Sequence, residues 1–133
     1  DAYTQDVVER QRSLSADGVV PLRRFKITGG YANLPLDGLW LRPPYLHNGS
    51  VPTLRDLLEP SELRPGVFYR GDWVYDPENV GFEASVPQRD GRKLFEYNTG
   101  LPGNSNRGHE GRQYGTELDP ADKDALIEYL KRF

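Results

Sequence analysis

Two histidines, His47 and His109, are the side chains of this sequence with the clearest capacity for chemistry. An imidazole nitrogen can bind a transition metal or exchange a proton near neutral pH. His47 lies in the run PPYLHNGSVPTLRDLL at residues 43–58, and His109 lies in a glycine-rich segment at residues 98–115. The 133 residues contain no cysteine and no methionine, so any metal chemistry here must use imidazole or oxygen ligands.

The spacing of these residues does not fit familiar hydrolytic motifs. A zinc hydrolase places two histidine ligands one helical turn apart, whereas these two lie far apart in predicted loops. The HNGS run lacks the small residue after serine that a nucleophile elbow uses. The tripeptide NGS at 48–50 fits a glycosylation sequon, but its Asn-Gly pair is equally typical of a turn. We therefore assign no catalytic acid, base or nucleophile.

Composition limits the fold and the partners. The 17 basic and 20 acidic side chains give a net charge of −3, so no sequence-wide positive field exists to attract nucleic acid or an anionic membrane. No apolar run reaches the length of a membrane span. Only 36% of the residues are apolar, and 14 glycines and 11 prolines interrupt the sequence, which predicts a loop-rich chain. The 11% of aromatic residues indicates a packed interior.

We predict a mainly α fold with long irregular loops and, as an option, one short β-hairpin. The clearest helix begins at Asp119, a good N-cap, and carries an apolar stripe formed by Leu126, Ile127, Leu130 and Phe133. Thr53 is typical of the N-cap of a shorter helix that Pro60 ends.

The other segments carry weaker signals. Residues 3–12 form a weak helix at best, and residues 13–42 are predicted to be extended chain with turns at 29–30 and 37–38. Segments 62–76 and 93–97 are candidate strands because aromatic and β-branched residues lie between breakers. Residues 98–115 are predicted to form a surface loop.

Two segments resemble a known family. The run LWLRPPYLHNGSVPTLRDLL at 39–58 resembles the carboxy-terminal haem domain of the di-haem cytochrome c peroxidase superfamily, whose relatives include latex-cleaving rubber oxygenases. There, a Pro-Tyr-Phe/Leu-His-Asp/Asn-Gly-Ser run precedes Thr-Leu and a short helix. The ending GHEGRQYGTELDPADKDALIEYLKRF is similar to the terminal region of the same domains. The resemblance implies a cytochrome-c-like C-terminal segment.

The sequence departs from that family at the haem attachment site. Family members attach haem through CxxCH, and this sequence contains no cysteine. We therefore interpret residues 1–133 as a single, incomplete cytochrome-c-like domain that lacks the half holding the haem. By resemblance, haem c is supplied through residues outside this chain, and none is attached covalently here.

The resemblance also implies a function. The chain would be the haem-packing C-terminal segment of a c-type cytochrome, active in electron transfer or in haem-based redox chemistry at iron. As part of an enzyme, it would belong to a peroxidase- or oxygenase-type oxidoreductase. The expected partners are the haem-bearing remainder of the protein or a cytochrome chain, together with a redox protein, in the periplasm or another extracytoplasmic compartment. The alternative is a haem-free binding or assembly module derived from the cytochrome scaffold.

The resemblance assigns roles to individual residues. His109 is similar to a late histidine that supplies the distal axial haem ligand in rubber-oxygenase-like relatives, so it is the predicted iron ligand. For Trp40 and Tyr45, the alternative to a haem contact is an ordinary core role. For His47, the alternative is a structural role. Arg42, Arg64 and Arg70 could pair with haem propionates, although surface ion pairs are the simpler interpretation. The predicted haem-contacting residues are Trp40, Tyr45, Leu46, His47, Leu57, Leu58, His109 and Tyr114.

Overall fold

The computed structural model describes Gln5, Glu9, Tyr31 and residues 34–133. The chain divides into two compact units, Asp1–Ala32 and Asn33–Phe133. In the first unit, Gln5 and Glu9 are helical and exposed. The rest of the helix predicted at 3–12, and the extended chain predicted from residue 13 through the turn at 29–30, lie outside the described residues.

The second unit consists of short elements joined by turns. Its α-helices are α1 (Leu54–Leu57) and α2 (Pro120–Leu130), and short 3-10 helices lie at Leu39–Leu41, Ser61–Leu63 and Arg112–Tyr114. Its strands are β1 (Val67–Arg70), β2 (Tyr75–Asp76), β3 (Gly81–Phe82), β4 (Gln88–Arg89), β5 (Arg92–Lys93) and β6 (Phe95–Asn98). The strands form three separate antiparallel pairs, β1–β6, β2–β3 and β4–β5.

The prediction of a mainly α fold is wrong. Most of residues 34–133 lie in strands, 3-10 helices and loops, and the two α-helices of this unit have four and eleven residues. A helix needs an uninterrupted run long enough to offset its costly nucleus, and glycine or proline repeatedly interrupts the segment between α1 and α2. The described residues also form three antiparallel strand pairs, whereas the sequence predicted at most one short hairpin. β1 and β6 arise from the two candidate strand segments and pair with each other in the register Phe68↔Tyr97.

Helix α1 begins where the sequence predicts. The hydroxyl of Thr53 accepts a hydrogen bond from the Asp56 amide at 3.0 Å and donates to the Asp56 carboxylate at 2.5 Å. This pair satisfies one of the free amides at the start of the helix. Leu54 and Leu58 point into the core, where both are buried. The helix ends before Pro60.

Helix α2 packs three of the four residues of its predicted apolar stripe. Ile127 is buried, and Leu126 and Leu130 are partly buried against the core, whereas Phe133 lies beyond the end of the helix and is exposed. Lys123 binds the Glu59 carboxylate at 2.8 Å, and Asp124 forms an ion pair with Arg55, so both ends of α1 are tied to α2. Neither α2 nor any other helix in the described part of the chain is long and apolar enough to cross a bilayer.

The core joins residues from distant parts of the second unit. A β-bridge connects Tyr45 to Val51, with the Tyr45 amide donating to the Val51 carbonyl at 2.7 Å. This bridge closes the turn that carries His47, and its two residues, Tyr45 and Val51, are both buried in the core. The fully enclosed cluster contains Tyr45, Val51, Leu54, Leu58, Val80 and Ile127.

The core predicts the effect of shortening Ile127. This side chain is 1% exposed, so Ile127→Ala removes buried methyl groups and leaves a cavity. We expect the free energy of unfolding to fall by about 2–5 kcal/mol, measured by urea denaturation. The matched variant Leu101→Ala changes a side chain that is 55% exposed and should shift the value by less than about 0.5 kcal/mol. Equal losses for the two variants would contradict this core.

Candidate functional site

The predicted haem-contacting residues separate into a core group and a surface group. Tyr45 and Leu58 belong to the buried cluster, and Trp40, Leu46 and Leu57 are partly buried against it. The surface group is formed by His47, His109 and Tyr114, whose side chains are exposed. The core group therefore supports the site through packing, whereas the surface group is open to a partner.

Hydrogen bonds fix the aromatic members of the core group. The Tyr45 hydroxyl lies 3.3 Å from the Leu39 carbonyl and 3.4 Å from the Val80 carbonyl, and burial raises the pKa of this phenol. The Trp40 indole donates to the Phe133 carbonyl at 3.0 Å. Tyr75 donates to the Trp40 carbonyl at 2.5 Å, and its ring meets the indole edge-on. These contacts are those expected of structural aromatics.

His47 lies on an exposed turn, and its neighbour Asn48 makes the contacts that anchor this turn. Both hydrogens of the Asn48 amide group are used, since its nitrogen donates to the Gly103 carbonyl at 3.1 Å and to the Ser105 carbonyl at 2.9 Å. Its oxygen accepts from the Ser50 amide at 3.2 Å. The sequon asparagine therefore joins the HNGS turn to the loop that carries His109.

Arg64 holds the same loop from the opposite side. Its side chain belongs to a residue that is only 4% exposed, and its guanidinium donates to six backbone carbonyls. Three acceptors surround the C-terminal end of α1, and three lie in the His109 loop. The donor–acceptor distances are 3.2 Å to Asp56, 2.8 Å to Glu59, 3.3 Å to Leu57, 2.5 Å to Asn106, 2.9 Å to Gly108 and 3.1 Å to His109.

The arginines considered for haem propionates have other partners. The guanidinium of Arg64 donates to backbone carbonyls, and no carboxylate among the described residues forms an ion pair with it. Arg42 donates to the carbonyls of Pro35 and Asp37. The Arg70 guanidinium lies 5.1 Å from the centre of the Tyr97 ring. Sequence reasoning missed the structural role of Arg64 because its loop acceptors come more than forty residues later.

The imidazole of His109 packs against the ring of Tyr114. The ring centres are 4.4 Å apart with an interplanar angle of 37°. His109 has a φ of +55°, and its neighbour Gly108 has a φ of +93°, so the loop presents the imidazole through a left-handed turn. Partial burial and the positive charge of Arg64 lower the pKa of His109 below its ordinary value. Both effects favour the neutral imidazole, which is the form that binds a metal.

Two large apolar side chains of this part of the chain are exposed. Tyr114, which packs on the imidazole, is 40% exposed, and Leu63, in the 3-10 helix at Ser61–Leu63, is 70% exposed. Hydrogen bonds from Ser61 to Glu110 place this 3-10 helix beside the His109 loop. Desolvation raises the pKa of Glu110, but these hydrogen bonds outweigh it together with one from Gly108 and the charge of Arg64, so the pKa is lowered. Gly115, at a φ of +80°, lies between this surface and the core. A side chain there would meet Leu58 Cδ2 at 3.4 Å.

This geometry fits a single axial ligand and not a metal ion held by protein groups alone. Among the described residues, no group of three or more His, Cys, Asp or Glu side chains is placed to hold a metal ion. A haem iron already has its porphyrin nitrogens, so one protein imidazole completes an axial position. The exposed imidazole of His109, with the Tyr114 ring packed against it, has the donor atom that such a position requires.

Comparisons with known proteins bear on the first part of the described segment. Residues 30–69 match the family described as RoxA-like, cytochrome c-like, which confirms the predicted resemblance. This segment is therefore similar to cytochrome c-like domains. It contains the core group, His47 and Arg64, whereas His109 and Tyr114 lie beyond it.

Two proteins of Sinorhizobium fredii are similar to this chain. Uncharacterized protein y4iJ is 44% identical over 107 residues, which cover 76% of this chain and 17% of y4iJ. Uncharacterized protein y4iM is 35% identical over 138 residues, which cover 89% of this chain and 31% of y4iM. The chain therefore spans less than a third of the length of either relative.

The contact between His109 and Tyr114 predicts a titration. Because the Tyr114 ring shields the imidazole from water, we expect His109 to titrate below its ordinary value of 6.5 and Tyr114→Ala to raise this pKa. NMR chemical shifts of the imidazole protons measured against pH give both values. The control is Tyr129→Ala, which removes another exposed ring that packs on Phe133. A His109 pKa of 6.5 or higher in the unsubstituted protein would contradict this site.

Proposed function

We propose that this chain is the part of a c-type cytochrome that packs against haem c, and that His109 supplies an axial ligand to the iron. In this proposal, the haem is attached through residues outside these 133 positions. The match of residues 30–69 to a cytochrome c-like family supports the haem-related part of the proposal. The observation that supports the assignment of the ligand is the exposed imidazole of His109 on a loop whose backbone accepts hydrogen bonds from both Asn48 and Arg64.

The loop suits a ligand because its backbone is fixed while its side chain faces outward. The carbonyl of His109 accepts from Arg64, and the loop carbonyls at Gly103 and Ser105 accept from Asn48. A ligand held by such contacts loses little additional freedom on coordination. Bound haem would supply one-electron chemistry at its iron. The chain would supply the imidazole, its orientation, and apolar groups that exclude water around it.

The remaining predicted contacts take different roles in this proposal. Tyr114 packs on the imidazole and offers an exposed ring to the haem side. The core group of Trp40, Tyr45, Leu46, Leu57 and Leu58 supports the surface from behind. His47, which is exposed on the neighbouring turn, lies at the edge of the proposed contact and is not assigned to the iron.

The proposal also includes partners and a compartment. The partner would be the haem-bearing remainder of the protein or a separate cytochrome chain, with a redox protein exchanging electrons. The activity would be electron transfer or peroxidase- or oxygenase-type oxidation. Cytochrome c-like proteins are typically extracytoplasmic, which supports a periplasmic or similar location.

A haem-free binding or assembly module is the second candidate. It is favoured by the core group, since Tyr45 and Leu58 are already enclosed by protein atoms, and by the absence of cysteine from the sequence. In such a module, the exposed His109–Tyr114 surface would contact a protein partner and no iron. The two candidates differ in one observable, the effect of His109 on a haem spectrum.

Replacement of His109 tests the proposal. In the full-length haem-bearing protein, produced in a host that attaches haem c, His109→Ala should remove a nitrogen ligand and shift the haem absorption bands toward those of a five-coordinate or water-ligated iron. The matched control His47→Ala should leave the bands unchanged. Identical haem spectra for His109→Ala and the unsubstituted protein would refute His109 as the ligand. A full-length preparation with no Soret band would refute haem binding and favour the haem-free module.

A further inference from the structure

We propose that Arg64 is a positioning residue that orients the His109 imidazole toward the haem iron. This inference rests on the proposed function, because it concerns the same iron-binding side chain. It adds a residue outside the predicted haem-contacting set, one that acts through the backbone carbonyl of His109 and those of the preceding loop residues. The juxtaposition that carries it is a buried guanidinium between the end of α1 and the carbonyls of residues 106–109.

Three of the hydrogen bonds of Arg64 go to the loop segment that carries His109. Arg64 Nη2 donates to the carbonyl of His109 itself at 3.1 Å, and Nη1 donates to the preceding carbonyls of Gly108 and Asn106. Both Gly108 and His109 have positive φ values, so this stretch has no repeating helical or strand hydrogen bonds to fix it. The guanidinium replaces that missing regularity with three bonds from one planar group.

The other side of the guanidinium provides a rigid base. Its bonds to the carbonyls of Leu57 and Glu59 lie at the end of α1, and the Asp56 carbonyl accepts from both Arg64 and the Glu59 amide. Helix α1 is in turn anchored in the core through Leu54 and Leu58. One side chain thus connects the backbone of the loop to a helix that is fixed in the core.

Lysine cannot reproduce this arrangement. Its ammonium is a single point with three donors, whereas the six acceptors around Arg64 lie on opposite sides of a planar fork. Arg64→Lys therefore keeps the charge and removes the geometry. Arg64→Gln removes both. Comparison of the two variants separates the effect of position from the effect of charge.

The experiment measures how easily an added ligand displaces His109 in the full-length haem-bearing protein. Exogenous imidazole is titrated while the haem absorption bands are recorded, at a temperature where circular dichroism shows each variant folded. We expect Arg64→Lys and Arg64→Gln to lower the imidazole concentration for half-displacement by roughly tenfold or more, as is common when a group that orients a metal ligand is lost.

Two controls isolate the effect. Arg42→Lys changes another guanidinium that donates to carbonyls, those of residues 35–38, and should leave the half-displacement concentration unchanged. Ile127→Ala destabilises the core without removing a bond to the loop, so it tests whether lower stability alone eases displacement. The inference requires both controls to stay within twofold of the unsubstituted protein.

The outcomes separate this inference from the proposed function. If His109→Ala changes the haem spectrum but both Arg64 variants resist displacement as the unsubstituted protein does, the positioning role is wrong and the proposed function stands. The same holds if Ile127→Ala weakens ligation as much as Arg64→Lys does. If His109→Ala leaves the spectrum unchanged, His109 is not the ligand, and both proposals fail.

Discussion

The buried guanidinium of Arg64 is the interaction on which the rest of this surface depends. A charged group removed from water is costly unless its hydrogen bonds are replaced, and here six carbonyl oxygens replace them. Helix α1, with four residues, is too short to be stable alone. It is held at its start by Thr53, at its end by Arg64 and on its inner face by the core. The His109 loop shares this anchor.

The HNGS turn contributes to the same assembly through its asparagine. The Asn48 amide nitrogen donates to the carbonyls of Gly103 and Ser105, while the Arg64 guanidinium donates to those of Asn106 and His109. The segment matched by the cytochrome c-like family therefore supplies both groups that restrain the loop outside it. The motif that resembles the haem-edge segment of the family thus restrains the backbone of the loop that carries His109.

The sequence predicted the features that depend on neighbouring residues. The Thr53 cap, the apolar stripe of α2 and the turn at 37–38 are set by local chemistry, and all three are present. The mainly α prediction failed because strand pairing joins residues far apart in sequence, as in the contact of β1 with β6. Arg64 escaped prediction for the same reason. The role of His109 came from the resemblance and from no spacing rule, and the fixed backbone around it became visible only in the structure.

The most direct test of the account is a crystal structure of the full-length haem-bearing protein. The account predicts that an imidazole nitrogen of His109 is bonded to the haem iron, while the Arg64 guanidinium still donates to the carbonyls of residues 106–109. A structure in which residues outside this chain fill both axial positions of every haem, with the His109 imidazole still facing solvent against Tyr114, would contradict it.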